Sequence, residues 1–290
     1  MKKMDDYKSG GSRHYKTDGK QSVRSEIQRS KIITSDEFAK VIPEFDVFKV
    51  LKPDSQVLVQ APRRSGKTTL VEDMIGKWRT KNRVDLILLF SKSNAGFPNI
   101  PQKYRFRSLE PAMSQLVETQ IKVKKANRKR KKEKIHSRVI CIFDDQIDGT
   151  NHLRNNQLLT KMATLGRHTG DSHSSIMCIY LSQHITAIPP VMRRNMDVVI
   201  SLKISSRLER KLFVEEFLTL KSGRGGLAEA YNLFDIVNSA DYKAIIVNTT
   251  HSNKYKYSDY VYQYVATPYK SNEVWSGRKE DMETPFAIYF

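Results

Sequence analysis

The sequence predicts an α/β fold, a mostly parallel central sheet with helices on both faces, and three observations lead to it. The runs at 56–60, 138–144 and 175–182 are apolar at successive rather than alternate positions, as strands buried on both faces require. Helical segments separate such runs, so the chain alternates as α/β units do. At 290 residues it is long enough for one large domain with a substantial core.

The elements follow in order. The strand 56–60 carries Val57, Leu58 and Val59 and leads into a helix over 67–80. A strand over 84–91 (VDLILLFS), a helix near 111–127 and the strand 138–144 (RVICIFD) come next. A helix near 151–165 precedes the strands 175–182 (SIMCIYLS) and 197–202 (DVVISL). Helices near 206–220 and 226–236 and a strand at 243–248 (KAIIVN) complete a core of 56–250. Residues 1–30 are rich in Lys, Ser, Gly, Asp and Arg and too poor in apolar groups to offset the entropy of ordering, so they read as a flexible basic arm. Residues 31–55 hold Phe38, Val41, Ile42, Phe45, Val47, Phe48 and Leu51 and read as a flap packed on the core. Residues 251–290, rich in Tyr and charge and containing Pro268 and Pro285, read as a C-terminal extension.

Between the first strand and its helix stands the most informative stretch, residues 57–69, VLVQAPRRSGKTT. An apolar strand feeding a turn that ends in Gly66-Lys67-Thr68 and opens a helix is a phosphate cradle. Backbone N–H groups of the turn, here from Arg64, Ser65, Gly66 and on through Thr69, wrap phosphate oxygens, and the helix N-terminus adds its positive dipole end. Lys67 is placed to reach the β- and γ-phosphates and the Thr68 hydroxyl to hold Mg²⁺. The full pattern begins with Gly where this chain has Ala61.

The run 139–143 stops at two carboxylates, Asp144 and Asp145. Ligands of such folds sit beyond the carboxyl ends of the strands, so both acids project toward a nucleotide at the first turn. Asp144 reads as the magnesium-side acid and Asp145 as the group that polarises the attacking water. ATP and Mg²⁺ are the cofactors this pairing calls for. Gln183, at the tip of the strand 175–182, is placed to contact the γ-phosphate or the lytic water; a plain strand-end turn residue is the bland alternative.

Charge indicates the partner. Lys plus Arg number 50 against 31 Asp plus Glu, a net +19, which favours a polyanion bound through phosphate contacts and counterion release. Residues 122–134 carry nine basic residues in thirteen. The run reads as a basic insertion whose Lys124, Lys125, Arg128, Lys129, Arg130, Lys131 and Lys132 touch a phosphate backbone, and few aromatics interleave with it for base stacking. A solvated helix end or a nuclear-localisation segment are the other readings. Arg167, read as lying in a glycine-flanked turn within 164–171, ranks ahead of Arg193 and Arg194 as an arginine that could stabilise the transferring phosphoryl group. Cys141 and Cys178, the two cysteines, lie in apolar runs and read as reduced core residues, an intracellular usage. There is no leader pattern and no long apolar span, so a soluble, non-secreted chain without a membrane-spanning segment is expected.

With these residues in view, roughly residues 55 to 250 resemble the FtsK/HerA-like ATPases, and within them the virion DNA-packaging ATPases of large double-stranded DNA viruses. The resemblance rests on Ser65-Gly66-Lys67-Thr68, on Phe143-Asp144-Asp145, on the stretch from Leu165 to His168, and on Ile179 to Gln183 followed by Ile188 to Asn195. It implies a P-loop NTPase three-layer sandwich of the additional-strand, RecA-like type. It further implies a homo-oligomeric ring, pentamer or hexamer, that hydrolyses ATP to drive double-stranded DNA into a preformed capsid at its portal vertex. The implied location is the host-cell cytoplasm at a viral factory, or the virion. Matching positions make Lys67 and Thr68 nucleotide and magnesium contacts, Asp144 and Asp145 the hydrolytic acids and Gln183 the γ-phosphate sensor. Many relatives carry Glu at the second acid, and no nuclease-like cluster of carboxylates follows downstream. A helicase or a replication or partition ATPase shares both phosphate motifs. A nucleotide-switched nucleic-acid-binding protein with little turnover is the reading from another class.

Overall fold

The computed structural model describes residues 42–93, 96–144, 157–219, 226–252, 256–268 and 275. They belong to one compact unit, 35–290, and the expected basic arm at 1–30 lies outside them. The predicted α/β fold is the fold observed. Eight strands form one sheet among the described residues: β1 Gln56–Gln60, β2 Leu86–Ser91, β3 Arg105–Phe106, β4 Ser137–Asp144, β5 Ser174–Ser182, β6 Val198–Ser201, β7 Lys243–Asn248 and β8 Val261–Val265. Their spatial order is β3-β2-β4-β5-β1-β6-β7-β8. The ladders from β3 to β6 are parallel, and β7 and β8 add antiparallel to that edge.

Both faces of the central strands are dry. All nine residues of β5 are buried, as are all of β1, β2 and β6, which is why their sequences show runs instead of alternation. Phe90, Phe143 and Tyr180 stack across β2, β4 and β5 with ring centroids 5.2 Å and 5.0 Å apart. Cys141 and Cys178 face each other in register on β4 and β5, both free thiols; burial pushes the Cys178 thiol up to about 12, so it is protonated core material.

The longer helices are α2 Lys67–Arg79, α3 Ala112–Lys129, α4 Gln157–Thr169, α6 Arg207–Phe213 and α7 Gly226–Asn238. The short ones are α1 Val47–Val50, α5 Pro190–Arg193 and α8 Tyr257–Tyr260. The predicted single helix near 206–220 is α6 running into a π-helical turn, Val214–Leu218. The basic stretch is not an inserted loop: α3 continues through Lys129, so the run is the end of a crossover helix and its connection to β4.

The segments flanking the core meet on one edge strand. β8 comes from the stretch expected to be an extension, and its Gln263 is gripped by the flap residues: Phe45 N–H donates to the Gln263 carbonyl (2.9 Å) and the Gln263 side chain to the Ile42 carbonyl (2.9 Å). Phe45 sits edge-on to Tyr262 and Tyr264, with centroids 5.9 Å and 5.8 Å away. This cover blunts a sheet edge that would otherwise offer unpaired backbone groups.

Asp73 of α2 ties the edge to the core. It is 3% exposed and accepts from the Tyr264 hydroxyl (2.5 Å), the Thr267 N–H (3.1 Å) and Lys77 Nζ (2.9 Å). Burial, and then the bond to Asp73, push the Tyr264 phenol above its usual range. Asp73→Ala leaves a buried hydroxyl and amide without an acceptor and is expected to cost about 3 kcal/mol, against about 1 kcal/mol for Tyr264→Phe. Denaturant unfolding of the two variants measures both, and equal losses would show that the carboxylate's other bonds carry no weight.

Candidate nucleotide site

The cleft is built at the carboxyl ends of β1, β4 and β5. The chain leaves β1 toward β2 on one flank, while β6 lies on the other, and ligands gather where strand order reverses in this way. Ala61 continues the β1 ladder, its N–H donating to the Ser182 carbonyl (3.0 Å), and it is fully buried. Its φ is not positive; the left-handed residues of this turn are Arg64 (φ 59°) and Gly66 (φ 92°). Glycine's freedom is therefore not needed at position 61, which is how Ala61 stands where the pattern has Gly.

Gly66 is the N-cap of α2 and no side chain caps its first turn; the helix ladder opens with Leu70 N–H on the Gly66 carbonyl (2.9 Å). Uncapped first-turn amides with the positive end of the helix dipole behind them suit an anion. Lys67 Nζ donates to the Ala61 (2.7 Å) and Pro62 (2.9 Å) carbonyls and Ser65 Oγ to the Pro62 carbonyl (2.7 Å), so the turn curls around its own ammonium. Lys67 thus has partners in the turn, and it can exchange those neutral carbonyls for charged phosphate oxygens.

Because β5 lies between β1 and β4, its tip Gln183 falls between the phosphate turn and the acid. A cleft of about 590 Å³ is lined by the predicted Arg64, Ser65, Gly66, Lys67, Thr68 and Thr69, by Asp144 and by Gln183. Its volume is in the range of cofactor sites. Asp144 is 8% exposed at the end of β4. Asp145 lies outside the described residues. Thr68 and Asp144 supply the hard oxygen donors that Mg²⁺ takes.

Arg167 is not brought here. It is in the last turn of α4 and not in a turn between elements, and α4 leads into the start of β5, at the sheet edge opposite the cleft; its side chain lies outside the description. Arg193 and Arg194 precede β6 at that same edge. Arg193 is committed to Glu216 (2.8 Å) and to the Ile188 carbonyl (2.7 Å). The basic stretch ends there as well, since α3 delivers it to the start of β4. Lys124 donates to the His168 carbonyl and Lys134 to the Asn127 carbonyl (2.6 Å), so these two lysines brace helix ends. Lys125, Arg128, Lys129, Arg130, Lys131 and Lys132 are exposed.

Other residues at the cleft escape the sequence reading. Ser93, Gly96 and Tyr242 also line it. Gly96 (φ 83°) crosses Thr68 so closely that a Cβ there would come within 3.1 Å of the Thr68 methyl. Arg105 holds that loop by donating to the Phe97 (2.5 Å) and Ile100 (2.9 Å) carbonyls. Glu72 accepts from the Phe97 N–H; burial raises its carboxyl above the usual range, with that bond opposing. Glu209, 6% exposed, accepts from Gln60 Nε2 at the end of β1 (2.7 Å) and from the Ile185 N–H just past Gln183 (2.6 Å). Ser206 and Glu209 have the spacing of a capping box, yet the carboxylate ties two strand ends together instead.

Strand order gives the fold of the additional-strand P-loop NTPases. No protein-family model matches the sequence, and no curated protein does. Among solved structures, the genome packaging NTPase B204 from Sulfolobus turreted icosahedral virus 2 in complex with sulfate is similar with a TM-score of 0.52, at 14% identity over 75% of this chain and 98% of that one. The same NTPase with AMPPCP gives 0.50, at 13% identity over 75% and 100%. The likeness is one of fold, and it agrees with the sequence resemblance to the viral packaging members of the FtsK/HerA-like ATPases. No helix among the described residues is long and apolar enough to cross a membrane.

Glu209→Ala is expected to cost about 3 kcal/mol by denaturant unfolding, because it orphans a buried amide and a buried side chain, while Glu209→Gln retains an acceptor and costs about 1 kcal/mol. Amide exchange at Ile185 should quicken in the alanine variant. Unchanged exchange would mean that the Gln183 loop is held by other contacts.

Proposed function

We propose that this protein is an ATP-driven translocase of double-stranded DNA that packages a viral genome into a preformed capsid. The observation that carries the reading is the convergence in one cleft of Lys67 and Thr68, Asp144 and Gln183, three chain segments that the sheet order alone brings together. In this reading the turn from Arg64 to Thr69 cradles the phosphates of ATP and Lys67 bridges the β- and γ-groups. Thr68 and Asp144 hold Mg²⁺, which when bound neutralises phosphate charge. Asp145 orients and polarises the attacking water, and Gln183 senses the γ-phosphate. The genome-packaging role of the structurally similar NTPase supports the choice of motor over other P-loop enzymes.

Arg167, Arg193 and Arg194 stand before the strands that lead into their own cleft, so any of these three that acts on a phosphoryl group does so in the cleft of a neighbouring subunit. That geometry favours a ring of five or six copies. The net charge of +19 and the exposed basic end of α3, from Lys125 to Lys132, supply a sequence-independent grip on duplex DNA. Capsid or portal vertex completes the assembly, in the host-cell cytoplasm or the virion.

Steady-state ATP hydrolysis with and without duplex DNA, across a salt series, tests the reading. Stimulation by DNA that fades with salt is expected, and turnover indifferent to DNA would overturn translocation. Lys67→Ala should lower hydrolysis by about 10²- to 10³-fold with little change in melting temperature, because Nζ donates to carbonyls of one partly exposed turn and packs in no core. A large loss of melting temperature would assign the lysine to the fold instead. Neutralising Arg128, Arg130, Lys131 and Lys132 together should weaken duplex binding and lower the slope of log affinity against log salt by about one for each phosphate that is no longer neutralised. An unchanged slope would assign this helix end to another partner.

A further inference from the structure

Tyr242 is unlike every other residue of the cleft. Among the described residues it is the one aromatic side chain lining it, beside arginines, serines, threonines and glycines of the phosphate turn and the loop after β2. It is reached only because β7 runs antiparallel: the N-terminal end of that strand, and not its C-terminal end, arrives at the edge where β1 ends. Its backbone is left-handed at φ 63°, a conformation that costs free energy for a residue with a Cβ and that persists where the surroundings enforce it. The turn is tied to the end of β6 through the ion pair of Asp241 with Lys203 (2.8 Å).

The ring rests on the phosphate turn. Its Cδ1 lies 3.1 Å and its Cε1 3.6 Å from where a Cβ on Gly66 would stand, so Gly66 is required both for its own φ and for the ring's approach. Yet Tyr242 is 62% exposed. A residue retained for packing would hide its face, whereas this one strains its backbone to hold an aromatic surface open beside a phosphate cradle.

We propose that Tyr242 is the stacking platform for the base of the bound nucleoside triphosphate, a positioning residue that reads the base by its π face and not by hydrogen bonds. The proposal rests on the nucleotide reading of the cleft and adds to it the determinant of base binding. Stacking of this kind tolerates any base and favours the larger purines.

Calorimetric titration of the full chain with Mg²⁺ and two probes tests it: a slowly hydrolysed ATP analogue, and inorganic tripolyphosphate, which has no base. Tyr242→Ala and Tyr242→Gly should bind the analogue about 10-fold more weakly, Tyr242→Phe should bind it as the native chain does, and all should bind tripolyphosphate alike. Tyr242→Gly should melt no lower than the native protein, because glycine adopts this φ without strain. Native affinity for the analogue in Tyr242→Ala would overturn the proposal, and so would an equal loss for both probes, which would make the ring a support of the turn. A native chain that binds neither probe would overturn the nucleotide reading itself, and this inference with it.

Discussion

The placement of β1 between β5 and β6 is the constraint on which the rest of this structure depends. That strand is buried on both faces and paired on both edges, so the phosphate turn that follows it cannot shift without breaking two ladders. The Ala61 N–H extends the β5 ladder by one bond into the turn itself, and the Leu202 N–H on the Gln60 carbonyl (3.1 Å) closes the other side. A turn held this firmly can keep Arg64 and Gly66 left-handed, which flexible chain would not. Glu209 then ties the same strand end to the loop beyond Gln183, so Gln183 and the turn after β1 are braced through one carboxylate.

Strand polarity divides the molecule into two working edges. The carboxyl edge gathers the turn, Asp144 and Gln183, while the amino edge receives the ends of α3, α4 and α5 and with them the exposed basic surface and the candidate arginines. β4 joins the two, with the basic connection entering at Ser137 and the acid leaving at Asp144. Its eight residues span about 26 Å, so a change at one edge reaches the other through a rigid, fully paired element and not through a loop.

Much of this was legible in the sequence, and the reason differs from element to element. The runs of β1, β4 and β5 announce themselves because burial on both faces leaves an unbroken apolar stretch at the middle of each, and their observed bounds fall within one residue of those expected. β8 hid because its VYQYV pattern is half tyrosine-lined edge, given strand character only by pairing with β7 and by the flap around Gln263. The basic stretch was visible as charge and the expected helix reached its first part, but neither shows that the helix runs on to Lys129, nor that Lys124 and Lys134 are spent on helix ends.

Local order in the sequence therefore determined the chemistry of the parts: a glycine-containing turn with uncapped helix amides suited to an anion, an apolar strand ending in acids, a surface with a large positive excess. These follow from residue type and near-neighbour spacing, which fix backbone preference and charge without reference to distant chain. Tertiary structure alone decided what stands beside the turn. Gly96 over Thr68, Glu209 under the Gln183 loop and Tyr242 against Gly66 are contacts across long stretches of sequence. They are set by which strands neighbour β1 and by the reversed direction of β7, and no local pattern encodes either, because strand order is chosen by the packing of the whole sheet.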